Sequence, residues 1–387
     1  MIAELASILA LIVVAILWKY HQWRTSPLFR IPGPKCNFTF KEWVVGVFHI
    51  IQNEPFMQPQ QRWWKESGPD TQMMHVTGVF GRHFIFVLDA DGVKQVLSSK
   101  AGGKLPRFIK GLEFLKKVIG EGLVTIDGDE WQRHRKIMQP IFDNQVLKEA
   151  LNSCLPDIMD RFVAAWKEKA GGELDLTSHC AALALDIIGK VAFSHDFQAV
   201  TSVEQWAKGA VRQVELNDPL IKSLYTSMMP SMLRMLFVNL RLGALERFYL
   251  RESFNAQVIL DREFATVVDR SYARYIRRDK ASTESKCLLD YLFDAQTASR
   301  AGSTSNSLTH KELQGEMKTL IFAGHETTAT LCVWAIFSII KHKEVEHLVV
   351  DDILKHSPKN ARMTFESVEK MDYLDAFLKE VLRLHPP

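Results

Sequence analysis

The sequence predicts a mainly α protein with a small N-terminal β-sheet and one N-terminal transmembrane helix. Three observations predict it. Residues 5–18, LASILALIVVAILW, form an uncharged apolar run; two short β-type runs flank a glycine-containing turn near residues 73–88; and beyond residue 90 apolar residues recur at three- and four-residue spacing. Hydroxyl or acidic residues stand ahead of those runs, and Gly, Pro or polar clusters behind them. With 387 residues, 47% of them hydrophobic, the chain can bury a sizeable core. A net charge of +3 without a dense Lys/Arg stripe falls well short of a nucleic-acid binder. The five cysteines, at 36, 154, 180, 287 and 332, form no CxxC pair, so neither a disulfide framework nor a zinc site is indicated and a reducing compartment fits best. No internal repeat stands out.

Counted from Ile2, the apolar run approaches the roughly 20 residues that span a bilayer. Only Glu4 precedes it, Trp18 closes it, and Lys19, His21, Arg24 and Arg30 follow, the wrong order of charge for a cleaved signal peptide. Residues 1–25 therefore read as an uncleaved anchor, with the body in the cytosol by the positive-inside rule. The prolines of RIPGP (30–34) make 26–34 a stiff hinge ahead of a body spanning 35–387. Met73–Thr77 and His83–Leu88 read as a hairpin around GVFGR, and Asp89 or Asp91 as the cap of the helix after it. Ser299–Ser307 reads as a solvated loop of low complexity.

Thr309 and Glu312 form a capping box, with Leu308 and Leu313 as its hydrophobic staple. From there to about His342 no proline intervenes, so a helix of about 50 Å is expected. Its stripe Leu313, Met317, Leu320, Gly324, Thr327, Leu331, Trp334 is hollowed at the two small central positions, with Glu326 on its flank. An acid and three threonines in such a run, AGHETTAT, need a reason, because buried charge is costly unless paired or working. One reading is close helix packing, the hydroxyls bonded to carbonyls one turn earlier. Another is a flat cofactor against bare Gly324, with Glu326 and Thr327 as a proton relay. A carboxylate metal site lacks the Glu-x-x-His pair it needs, and His325 points elsewhere. Upstream, Asp127 or Asp129 starts a helix with Trp131 and Arg135 four apart on one face, ended by Pro140; a surface cation-π pair is the simplest reading. Near the last residue, Glu380 and Arg383 lie one turn apart, by themselves an ordinary surface ion pair.

Taken together, these stretches resemble the cytochrome P450 monooxygenases. Ala323–Thr328 fill the family's central-helix motif, Ala/Gly-Gly-x-Asp/Glu-Thr-Thr/Ser, without a mismatch. Trp131 and Arg135 take the positions of the family's haem-propionate donors, and Glu380 and Arg383 those of its buried Glu-x-x-Arg, followed by the usual Arg-Leu-His-Pro-Pro. The resemblance implies haem b against Ala323 and Gly324, electrons from NADPH through a flavoprotein reductase, proton relay by Glu326, and Thr327 steadying the oxygen being activated. It also implies an endoplasmic reticulum membrane protein facing the cytosol and a small lipophilic substrate, entering past Arg107–Leu123. The pattern from Gly120 to Phe142 is most similar to members that hydroxylate fatty acids and related lipids. Within RHRK, Arg133 and Lys136 would steer an acidic reductase, Arg135 being taken by the haem. The family's loop with the axial cysteine, Phe-x-x-Gly-x-x-x-Cys-x-Gly, would follow Pro387. None of the five cysteines sits in such a loop, and Cys332 lies five residues past Thr327 among the wrong neighbours. The expectation is therefore an incomplete cytochrome P450 fold with no metal ligand among its residues. It would be either a fragment of a competent monooxygenase or a product that has lost catalysis, with a non-catalytic membrane-anchored binding or decoy protein on the same scaffold as the rival class.

Overall fold

A computed structural model describes residues 2–47, 58–68, 70–98, 113–168, 171–201, 219–228, 243–278, 286–301, 307–357 and 363–387. The first six residues of the expected access stretch, 107–112, and residues 302–306 of the expected loop lie outside them. The chain divides into two compact units, Met1–Pro106 and Arg107–Pro387.

The first unit begins with α1 (Ile2–Arg24), whose apolar residues from Leu11 to Trp18 are exposed. Its last turns change character because the sequence there turns aromatic. Trp23 is buried, stacking edge-on against Phe29, and Tyr20 meets Phe40 and Trp43. The hinge is not free: Ser26 caps a short 3-10 turn, Pro27–Arg30, and the carbonyl of Pro32 accepts the His75 N–H at 2.8 Å. Then come α2 (Phe40–Val45), opened by a Thr39/Glu42 capping box, and α3 (Gln58–Ser67). The expected hairpin is present as β1 (Met73–Thr77) antiparallel to β2 (His83–Val87), with His75 opposite Ile85. Its turn needs left-handed backbone at Phe80 and Gly81. Asp89, not Asp91, caps α4 (Ala90–Leu97) by accepting the Gly92 N–H.

The second unit carries α5 (Glu113–Ile119), α6 (Gly128–Met138), α7 (Asn144–Glu168), α8 (Leu176–Phe193), α9 (Pro219–Met228), α10 (Gly243–Tyr249), α11 (Arg251–Arg277), α12 (Leu288–Ala301), α13 (His310–Lys341), α14 (Lys343–His356), α15 (Phe365–Val368) and α16 (Asp372–Leu384). The 32-residue α13 is the expected long helix, and it packs most extensively on α8. Their crossing is lined by small residues: Cys180 and Ala184 on α8 meet Ala329 on α13. The main core joins both helices to α11 and α12 through Leu185, Phe264, Leu289, Met317 and Ile321, all nearly inaccessible to solvent. Asp186, inside apolar α8, is buried because it accepts the N–H groups of Ala199 and Val200 in the chain that follows the helix.

Candidate active site

The long helix α13 begins as the sequence requires. Thr309 Oγ1 accepts the Glu312 N–H, Glu312 Oε2 accepts the Thr309 N–H at 2.7 Å, and the staple residues Leu308 and Leu313 are both buried. At its middle one side is bare: Ala323, Glu326, Thr327 and Thr328 are exposed. Thr327 Oγ1 donates to the Ala323 carbonyl at 2.6 Å and Thr330 Oγ1 to that of Glu326 at 2.8 Å. Each hydroxyl thereby uses its hydrogen within the helix and keeps lone pairs to accept with. His325 turns the other way. Its Nδ1 lies 2.7 Å from the Ile321 carbonyl, which can only accept, so the proton is on Nδ1 and Nε2 accepts from the Tyr225 hydroxyl at 2.8 Å. Burial first, and the nearby Glu326 charge second, push the Tyr225 phenol up to about 12, so it remains a donor at neutral pH.

Gly324 does not share that bare side, which corrects the expected hollow. A Cβ on it would lie 3.0 Å from Ile188 Cδ1 of α8, so its missing side chain makes room for α8 and not for a flat ring. The stripe advances by an average of 3.5 residues on a 3.6-residue helix and drifts by about 20° per heptad. Two heptads after Leu313 it has rotated off the packed face, and Thr327 emerges beside Ala323.

On α6 the Arg135 guanidinium carbon lies 5.4 Å from the centre of the Trp131 ring. Arg135 is exposed and has no carboxylate partner among the described residues. The opposite side of α6 faces α13 through a network that sequence reasoning missed. His134 is buried; its Nδ1 donates to Glu316 Oε1 at 2.6 Å, and Glu316 Oε2 also accepts the Leu123 N–H at 3.2 Å. Burial alone would lower the His134 pKa, but the hydrogen bond and charge of Glu316, helped by Glu312, hold it above the ordinary value. Arg133 pairs with Glu312 and donates to the Ser307 carbonyl. Despite opposing burial, the Thr309 N–H and the Arg133 guanidinium hold Glu312 down to about 2. Arg133 is therefore turned into the unit by an acid on α13, and of the two expected reductase contacts only Lys136 keeps an exposed side chain. An acid beside Met317 in the buried stripe was the available signal, since a buried carboxylate requires donors. Where those donors come from, almost 200 residues upstream, is not written locally.

This network sets α6 against the first third of α13. Ala323 lies seven residues beyond Glu316, about 10 Å further along the axis at 1.5 Å per residue. The approach is close: a Cβ on Gly315 would fall 2.0 Å from the Glu121 carbonyl oxygen, and one on Gly122 would fall 2.3 Å from Thr319 Oγ1. That contact is why the loop reads Gly-Glu-Gly.

Glu380 and Arg383 form the expected pair through two bonds of 2.7 Å, but on the surface, with 54% and 66% of their side chains exposed. The buried setting expected from the resemblance is absent, because no described residue packs over that face of α16. The nearby His385 ring instead stacks on Trp334 of α13, 3.8 Å between centroids and 3° from parallel. All five thiols are raised by burial, Cys180 to about 12 and Cys154 and Cys287 to about 11. Cys332 packs as a small apolar group beside Cys180.

Residues 43–387 match the family model of cytochrome P450. The chain belongs to the cytochrome P450 family. It is similar to cytochrome P450 4A6 of Oryctolagus cuniculus, 26% identical over 99% of this chain and 71% of the relative, and to human cytochrome P450 4A11, 25% identical over 100% and 70%. Cytochrome P450 monooxygenase claO of Ampulloclitocybe clavipes is 25% identical over 84% of this chain and 59% of its own length. The fold matches the crystal structure of the cytochrome P450DA heme domain, with a TM-score of 0.69 at 18% identity over 91% of this chain and 69% of that one. This cytochrome P450 is accordingly an oxidoreductase of the monooxygenase type whose cofactor is haem. Its residues fit that group in two places. Arg135 offers an uncommitted forked guanidinium beside an indole, suited to a propionate, and the flush Ala323–Thr327 surface suits the face of a ring. The two thiols nearest that surface do not open onto it: Cys332 packs with Cys180 and Ala184 at the crossing with α8, on the other side of α13 from Ala323.

Proposed function

We propose that this cytochrome P450 serves a membrane-bound monooxygenation of lipophilic substrates, fatty acids and related lipids foremost. The observation that carries the reading is the bare Ala323–Glu326–Thr327 face just beyond the packed first third of α13. Bound haem supplies the activation of O2 and the attack on a C–H bond. Glu326, in contact with water, exchanges protons with solvent and delivers them along the helix face. Thr327, its hydrogen directed to the Ala323 carbonyl, presents oxygen lone pairs that accept a hydrogen bond and hold a donor in place. Arg135 and Trp131 bind the propionates and fix the ring, while Ala323 lets it approach the helix. Exposed α1 anchors the protein in the endoplasmic reticulum membrane with the body in the cytosol, and 26–34 joins the two. Electrons come from NADPH through a flavoprotein reductase, for which Lys136 is the remaining steering charge on α6.

The packing of Cys332 against Cys180, off the bare face, favours a second reading, a non-catalytic membrane-bound binding protein on the same scaffold. One experiment separates the two. The chain is expressed in microsomes, reduced and exposed to carbon monoxide, and the difference spectrum is compared with that of a version extended through the coding sequence beyond Pro387. The monooxygenase reading expects a thiolate-type Soret band from the extended form; its absence there would sink that reading and leave the binding protein. In the haem-bound form, Arg135→Ala should lower haem retention, and Thr327→Ala should release peroxide while still consuming NADPH. Full haem occupancy or unchanged coupling would remove the respective residue from its role.

A further inference from the structure

Where α1 leaves its exposed apolar stretch, the first unit contains a recess that the monooxygenase reading does not use. It is an open cavity of about 500 Å³ bounded by Lys19, Trp23, Ser26, Trp43 and Gly81 among others. We propose that it binds the phosphate of an anionic glycerophospholipid.

Four features carry this. The first is place: Lys19 follows directly on the exposed run Leu11–Trp18, so the recess sits where a bilayer's hydrocarbon gives way to headgroups, if α1 spans it as proposed above. The second is charge. Lys19 lines the recess, exposed to solvent, and no carboxylate lines it among the described residues. The third is an unmet donor. Trp23 is 3% exposed and its indole N–H has no acceptor among the described residues, a state that costs on the order of 1–3 kcal/mol until an acceptor arrives. The fourth is aim. A Cβ on Gly81, itself part of the wall, would lie 2.6 Å from Trp43 Nε1 and 2.8 Å from Trp23 Cδ1, so the pyrrole edges of both indoles converge there. Ser26 Oγ accepts the Leu28 N–H and keeps its own hydrogen to donate. A phosphate oxygen only accepts, which is what an ammonium, a hydroxyl and an indole N–H together require.

The test uses the full chain in a neutral detergent, titrated by calorimetry with dihexanoyl phosphatidylglycerol, dihexanoyl phosphatidylcholine and inorganic phosphate. Saturable 1:1 binding of the phosphatidylglycerol is expected, weaker for the other two. Lys19→Gln and Trp23→Phe should each weaken it by about tenfold or more, the usual worth of a hydrogen bond to a charged group. Trp23→Phe keeps a ring in the aromatic cluster, and near-UV circular dichroism checks its packing; Lys19→Gln changes an exposed side chain and keeps the test decisive if Trp23→Phe fails to fold. The proposal is overturned if no probe binds or if neither substitution matters. Equal binding of phosphatidylcholine would deny the charge preference, and equal binding of inorganic phosphate would make this a free-phosphate site. Because the short-chain lipid is presented in detergent, failure of the recess is read separately from failure of α1 to hold the chain in microsomes.

Discussion

Two acids ten residues apart on the same helix have opposite circumstances. Glu316 is inaccessible to solvent and takes hydrogen bonds from His134 and Leu123, while Glu326 is exposed and next to a threonine that stays an acceptor. One carboxylate is fixed by its neighbours and the other is left with water, so the first third of α13 works as a joint and its middle as a surface for chemistry. The difference lies in what crosses the helix: α6 and the loop before it press on the first third, and nothing described covers the Ala323–Thr327 face.

The strongest way to break this contrast is Glu316→Leu, which strands the buried imidazole and the Leu123 N–H. A loss of about 3–5 kcal/mol is expected in denaturant unfolding; a loss similar to that of an exposed acid would mean the joint is not where stability resides. Next comes Gly315→Ala, since the new methyl meets the Glu121 carbonyl at 2.0 Å and must push backbone aside, a cost of about 1–3 kcal/mol by the same measurement. The joint should also show in the pH dependence. His134 is raised above its ordinary 6.5, so its contribution is full below about 6.5 and fades as the pH climbs through its folded-state pKa. Glu312, near 2 against an ordinary 4.5, contributes fully above 4.5 and loses its share as the pH falls toward 2. The difference in melting temperature between the parent and His134→Gln should be largest below about pH 6.5 and shrink as the pH rises above it. The smallest effect belongs to Glu326→Gln, expected within about 0.5 kcal/mol of the parent in stability, while in the haem-bound form it slows turnover. A large stability loss there would erase the distinction between the two acids.

Features set by near neighbours in sequence were legible. The Thr309–Glu312 capping box, the hairpin around GVFGR and the Trp131–Arg135 pairing need only three- or four-residue spacing or a turn, and each stands as the sequence implies. Legibility failed where a distant partner decides. Arg133 looks like a surface cation in RHRK until Glu312 draws it inward, and Gly324 looks like a bed for a ring until Ile188 fills the space. The Glu380–Arg383 pair shows the same limit: spacing gives the bond, and burial depends on what lies over it.

Gly324 and Ile188 share one volume. A Cβ at 324 would meet the Ile188 δ-methyl at 3.0 Å, so a methyl gained there requires Ile188 to give by a few tenths of an ångström. Gly324→Ala should be more favourable in the Ile188→Val background, where that δ-methyl is gone, than in the parent, a coupling that two-site substitution reads as non-additivity. A side chain introduced at 324 is thus felt first by α8, on the far side of the helix from the chemistry it is meant to change.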